Sequence, residues 1–213
     1  MKAMLRTCFL LASLLSVPAW AAEADEKDIE RLTDLVVAAM PFGVVFDGAQ
    51  ARDPNWPLED KAKNATAGQL ACLRGEMSSA GYRRGKRAEV VAYAAAHPAN
   101  VKRDIELLEA GAADLFGRFV RAGAEQEATG KPADIVAIVA SAGAAEAMSL
   151  TQLTTAAQYA DLRTLIGFGA MFDAADEGAA EMEKRGEDQG MQIGAMLMIK
   201  AVRTCDLPLS VFK

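Results

Sequence analysis

Apolar residues recur at helical spacing along most of the chain. Ile29, Leu32, Val36 and Met40 form one stripe over residues 25–40, which Pro41 ends. Thr66 and Gln69 have the spacing of a capping box, and Leu70, Leu73 and Met77 follow on one face. Cys72 is thereby placed on a helix close to a buried stripe. Gly81 interrupts the pattern, and a helix is expected over residues 82–97 with Pro98 as its stop. Val101, Ile105, Leu108, Ala112, Leu115 and Phe119 then step by four and three, as in a bundle seam. Gly111, Gly117 and Gly123 are placed to bend that helix or admit a close neighbour.

Gly130-Lys131-Pro132 breaks the series. The run "ADIVAIVASAG" over residues 133–143 is the one strand candidate, but Pro132 and the flanking alanines favour a helix. Helices are expected over residues 150–159 and 162–183, the latter broken near Gly167 or Gly169, with "EKRGEDQG" as a loop or helix end. The last helix is expected to turn Met191, Ala195, Met198, Val202 and Cys205 to the core and to stop at Leu207-Pro208. Only residues 41–64 lack a helical pattern; Asp47-Gly48, Asp53-Pro54 and Trp56-Pro57 are turn signals within them. The fold class is all-α: a single antiparallel helical bundle with one long loop on its N-terminal side.

The first 21 residues change the setting. Lys2 and Arg6 precede an apolar run, and Ala19-Trp20-Ala21 supplies the small residues of a cleavage site, so residues 1–21 read as a secretory signal peptide and residues 22–213 as the helical domain. The apolar run is too short for a permanent anchor, and no transmembrane segment is expected elsewhere. The expected location is the periplasm, with secretion beyond it as the alternative. In an oxidising compartment the two remaining cysteines, Cys72 and Cys205, read as one disulfide closing most of the domain. Loss of Lys2 and Arg6 takes the charge from 23 basic against 29 acidic groups to 21 against 29, or −8. That balance argues against general nucleic-acid binding, which needs a basic footprint.

Catalytic constellations are missing from the sequence. A lone histidine, His97, stands before Pro98 at a helix end, which excludes multi-histidine zinc sites and paired Glu-x-x-His motifs. "VASAG" has valine where a nucleophile elbow needs glycine, and no phosphate loop, dinucleotide fingerprint or haem-attachment motif occurs. "DAADEG" at residues 173–178 lacks the ligands of a calcium loop. The methionines near the C-terminus read as core filling rather than a copper site. No metal or cofactor is expected. Acid pairs such as Glu106 with Asp114, or Asp173 with Glu177, leave room for a glycan-cleaving enzyme, although most acids fall opposite the apolar stripes.

Two features point to binding. The basic run "YRRGKR" brings Arg83, Arg84, Lys86 and Arg87 together against an acidic whole, either as a docking patch or as a solvated face balanced by Glu76 and Glu89. Phe42, Phe46, Arg52 and Trp56 combine aromatic rings and a guanidinium in the irregular segment, as in interface hot spots, while the reading favoured for Trp56 alone is a plug over the end of the bundle. The layout, an export signal ahead of an alanine-rich helical domain, resembles many periplasmic proteins of Gram-negative bacteria, and no residue role carries over from that likeness. The function expected is a non-enzymatic envelope protein that binds another macromolecule, most specifically an inhibitor or immunity-type protein against a periplasmic toxin or hydrolase. The alternatives are an enzyme acting on peptidoglycan or another glycan through a carboxylate pair, and a lipid-binding envelope factor.

Overall fold

Several helices begin where a short polar side chain takes up a free backbone donor. Asp25 accepts from Lys27 N ahead of α1 (Glu26–Ala39), Ser78 from Gly81 N ahead of α4 (Ser79–Ala96), and Asp134 from Ala137 N ahead of α7 (Ile135–Ser141). Thr66 and Gln69 form the complete capping box ahead of α3 (Ala67–Glu76). The remaining helices are α2 (Phe42–Arg52), α5 (Val101–Leu107), α6 (Ala113–Thr129), α8 (Ala144–Thr155), α9 (Ala160–Ile166) and α10 (Ala179–Thr204). The computed structural model describes residues 25–169 and 179–212, all-helical with no strand among them. The expected signal peptide over residues 1–21, the acid pair Asp173 and Glu177, and "DAADEG" lie outside the described residues.

The segment expected as a long loop is largely helical. Phe42–Arg52 forms α2, and a 3₁₀ turn over Glu59–Asn64 leaves only residues 53–58 irregular. Only Gly43 and Phe46 of α2 are buried, so its sequence carries no stripe for periodicity to find. "EKRGEDQG" also lies inside a helix, the 26-residue α10. The run at residues 133–143 is helical over Ile135–Ser141, as favoured. Gly111 marks a bulge rather than a simple bend: Leu108–Ala112 forms a π turn between α5 and α6, with Gly111 at φ 114°. A β-carbon on Gly111 would stand 2.5 Å from the Glu146 side chain, so the glycine lets α8 approach.

Buried apolar residues form two clusters. In the first, Leu32, Val36 and Ala39 of α1 meet Val90, Tyr93 and Ala94 of α4, with Ile105, Leu108, Phe116, Leu162, Ile166 and Phe168 around them. The second joins Phe46, Leu58, Leu73 and Met77 to Ala201, Val202, Leu207 and Val211 at the end of α10. Phe42 and Leu197 pack against both clusters and mark their junction. Cys72 on α3 and Cys205 after α10 are bonded, with α-carbons 5.8 Å apart, so the disulfide fastens the second cluster.

One apolar stripe is corrected. In α10 the core takes Ile193, Ala201 and Val202, with Leu197, Met198 and Cys205 half-buried. Met191, expected inward, is 66% exposed and Ala195 is also exposed, beside Met196 and Ile199. Residues 191–202 of α10 carry more apolar side chains than one buried face can use.

Candidate functional site

Between α4 and α10, at the junction of the two clusters, a cleft opens. Phe46, Met77, Leu197 and Ala201 give it apolar walls, Gly81 and Gly85 a floor of bare backbone, and Glu76, Glu89 and Lys200 a charged rim. Its cavity volume is about 30 Å³, and it opens to solvent. Tyr82 lines it with a hydroxyl that is buried and has no hydrogen-bond partner among the described residues. Burial, and next the charge of Glu89, push the phenol pKa well up, so this group is a neutral donor. On α10, Met196 and Ile199 lie exposed next to the cleft residues Leu197 and Lys200.

Aromatic residues support the cleft from behind. Phe46 stacks on Phe42 with ring centres 6.0 Å apart, meets Trp56 at 5.5 Å and presents its edge to Tyr82 at 6.5 Å; Phe42 contacts Tyr82 edge-on at 6.1 Å. Trp56 is half-buried on the second cluster, in a turn held by Arg74, which donates to the Pro54 carbonyl. The structure therefore gathers Phe42, Phe46 and Trp56 into one wall. Arg52, at the exposed end of α2, stands outside that wall.

The basic run divides between several elements. Arg83 donates to Asp34 at 2.9 Å and Glu30 at 2.6 Å, and Arg87 donates to Glu26 and Glu30, so both cross to the acidic face of α1. Glu30 is held below the usual carboxylate range, first by Arg87 and then by Arg83. Arg84 pairs with Glu76 at 2.8 Å on the cleft rim. Lys86, placed by the sequence in an exposed patch, is buried instead. Its ammonium donates to Glu89 at 2.9 Å and to the Leu165 and Ile166 carbonyls at 2.9 and 3.4 Å, where it satisfies the C-terminal end of α9. Glu26, Glu30 and Asp34 recur every fourth residue on α1, the pattern in the sequence from which a partner helix for Arg83 and Arg87 could have been read.

A second hollow of about 280 Å³ is lined by Glu89, Tyr93, His97, Asp161, Thr164 and Leu165. Its polar groups already serve one another: Tyr93 donates to the buried Asp104, His97 lies 3.6 Å from Asp161, and Glu89 holds Lys86. His97 ends α4 through its backbone N–H, which donates to the Tyr93 carbonyl, while its ring faces Asp161 rather than the last carbonyls of the helix. No group of three or more His, Cys, Asp or Glu side chains with metal-site geometry occurs among the described residues. Asp114, of the acid pair Glu106 and Asp114, is engaged by Arg118 at 3.1 Å.

Among the described residues the cleft is thus a place where a buried hydroxyl without a partner lies beside surplus apolar surface. It has the makings of a binding pocket: apolar walls, few polar groups, and a rim whose charges are fixed by neighbours. Comparison of the chain with protein-family models, with curated proteins and with solved structures finds no match to any of them.

Proposed function

We propose that this chain is an exported, non-enzymatic helical protein that binds another protein in the cell envelope, and that the α4–α10 cleft is where it does so. In this reading residues 1–21 are the export signal and residues 22–213 fold as one antiparallel bundle, fastened by the disulfide, whose two clusters meet at the binding cleft. Blocking a toxin or hydrolase is the activity such a surface serves best, because it offers recognition without a reactive group. The observation that carries the reading is the Tyr82 hydroxyl. A buried hydroxyl without a partner is costly in the free protein, and a side chain bringing an acceptor or donor into the cleft removes that cost. Met196 and Ile199 supply an adaptable apolar border for the rest of the contact.

The test is capture from envelope extract by the mature chain, followed by affinity measurement with the purified partner. Ile199→Asp and Tyr82→Phe are each expected to weaken binding at least tenfold, while Arg52→Ala, outside the wall, leaves it unchanged. A partner that binds both cleft variants as tightly as the parent chain overturns the assignment.

A further inference from the structure

The helix α7 is apolar on nearly every side and buries no residue. Ile135, Val136 and Val139 are 45%, 79% and 58% exposed, and Met148 on α8 is 64% exposed. No charge occurs from residue 135 to residue 145. Among the described residues no single helix is long and apolar enough to cross a membrane, but α7 and α8, bent by 115°, together meet that composition. Such composition ordinarily marks a core helix. The exposure of α7 removes that explanation, in contrast to the bent pair α1 and α2, whose Leu32, Val36 and Ala39 lie in the core.

We propose that the α7–α8 corner is a wedge that inserts shallowly into a lipid bilayer. Three properties of the corner favour a bilayer over a protein or a second copy. First, polar groups at the ends of α7 are paired within the protein, which lowers the cost of entry into hydrocarbon. Asp134 accepts from Ala137 N at 2.8 Å, Ala142 N donates to the Val139 carbonyl at 3.1 Å, Ser141 Oγ to the Ile138 carbonyl at 2.8 Å, and Gly143 N to Glu146 at 2.7 Å. Second, the flanking acids are engaged by the protein: Asp134 caps α7, and Glu146 is held below the usual carboxylate range by Gly143 N–H and by Arg118, 2.9 Å away. Third, the corner exposes four large apolar side chains, the kind of patch that marks a contact site, but far fewer residues than the roughly 20–30 each partner gives to a stable complex.

Geometry sets the depth. Seven helical residues extend about 10 Å, far short of the ~30 Å hydrocarbon core, so α7 lies within the interface, buried by about 5–10 Å. The acidic chain gains nothing from anionic lipid headgroups, so insertion is driven by apolar burial and added salt does not weaken it. This inference is independent of the cleft, which lies on α4 and α10.

The experiment is co-sedimentation of the mature chain with phosphatidylcholine vesicles and with phosphatidylethanolamine–phosphatidylglycerol vesicles, at low and high salt. Binding to both at either salt concentration is expected, with at least a tenfold loss in a Val136→Asp/Val139→Asp variant that melts like the parent. A Val136→Trp variant in a Trp56→Phe background should shift its emission to the blue on adding vesicles. No binding, binding unchanged by the two aspartates, or a lipid-free dimer that those aspartates dissociate would overturn the proposal.

Discussion

Removing one oxygen from two buried tyrosines should change stability in opposite directions. Tyr82 is 3% exposed and its hydroxyl has no protein partner among the described residues; Tyr93 is 7% exposed and donates to Asp104, a carboxylate with no exposure at all. For Tyr82→Phe the gain is the desolvation penalty of an unpaired hydroxyl, about 1–3 kcal/mol. The lower end of that range already gives a measurable shift. At ~1 kcal/mol and a urea slope of about 2 kcal/mol/M, the midpoint rises by roughly 0.5 M. For Tyr93→Phe the loss is a hydrogen bond to a charged group, about 1.5–3 kcal/mol, and the midpoint falls by about 1 M. Arg103, which donates to Asp104 at 2.8 and 3.1 Å, keeps that carboxylate partly served and sets the upper limit on the loss. Urea titration followed by circular dichroism measures both. If Tyr82→Phe lowers the midpoint as Tyr93→Phe does, the Tyr82 hydroxyl is satisfied in the free protein, and the cleft loses the argument that marks it as a binding site.

Other perturbations separate stability from surface. Cys72→Ser with Cys205→Ser frees a loop spanning 133 positions and should cost about 5 kcal/mol in the chain-entropy description; an unchanged urea midpoint would show that the bond does not constrain the unfolded chain. Lys86→Met, which leaves the Leu165 and Ile166 carbonyls without their ammonium donor, should cost about 1–3 kcal/mol, whereas Arg84→Ala on the exposed rim should stay within about 0.5 kcal/mol; equal effects would refute the burial of Lys86. Burial holds the Asp104 carboxyl above its ordinary 3.8, outweighing the opposing effects of Tyr93 and Arg103. The folded state therefore binds that proton more tightly, so the parent gains stability relative to Asp104→Asn as pH falls through the raised value toward 3.8. A difference between the two proteins that stays constant from neutral pH to 4 would refute this assignment.

Local chemistry was legible in the sequence wherever one side chain decides the outcome. Thr66 and Gln69 announce the start of α3, Gly130 ends α6 in the left-handed conformation, and Cys72 with Cys205 names the disulfide. Glu76 and Glu89 were legible as counter-charges because they lie near the basic run in sequence. The partners on α1 were harder to see, since Glu26, Glu30 and Asp34 stand some fifty to sixty residues away from Arg83 and Arg87 and meet them only when two helices pack. Helix α2 escaped because Asp47-Gly48 resembles a turn, yet Asp47 instead accepts from Ser79 N at 3.1 Å and ties α2 to the start of α4.

Alanine explains why the buried face of α10 was misjudged beside the proposed binding cleft. In α10, Ala195 and Ala201 satisfy an apolar stripe as well as larger residues do, but one is exposed and the other buried. Periodicity alone therefore accepts several overlapping stripes through Met191, Ile193, Met196, Leu197 and Ile199, and only packing selects among them. Core clusters took Ile193 and Ala201 and left Met191, Met196 and Ile199 outside. The same logic holds for α7, where a run that reads as core remains uncovered while charged Lys86 and Asp104 are inside. Charge thus serves mainly to fasten helices in this chain, and the surplus of apolar faces over available core is what places both proposed contact surfaces.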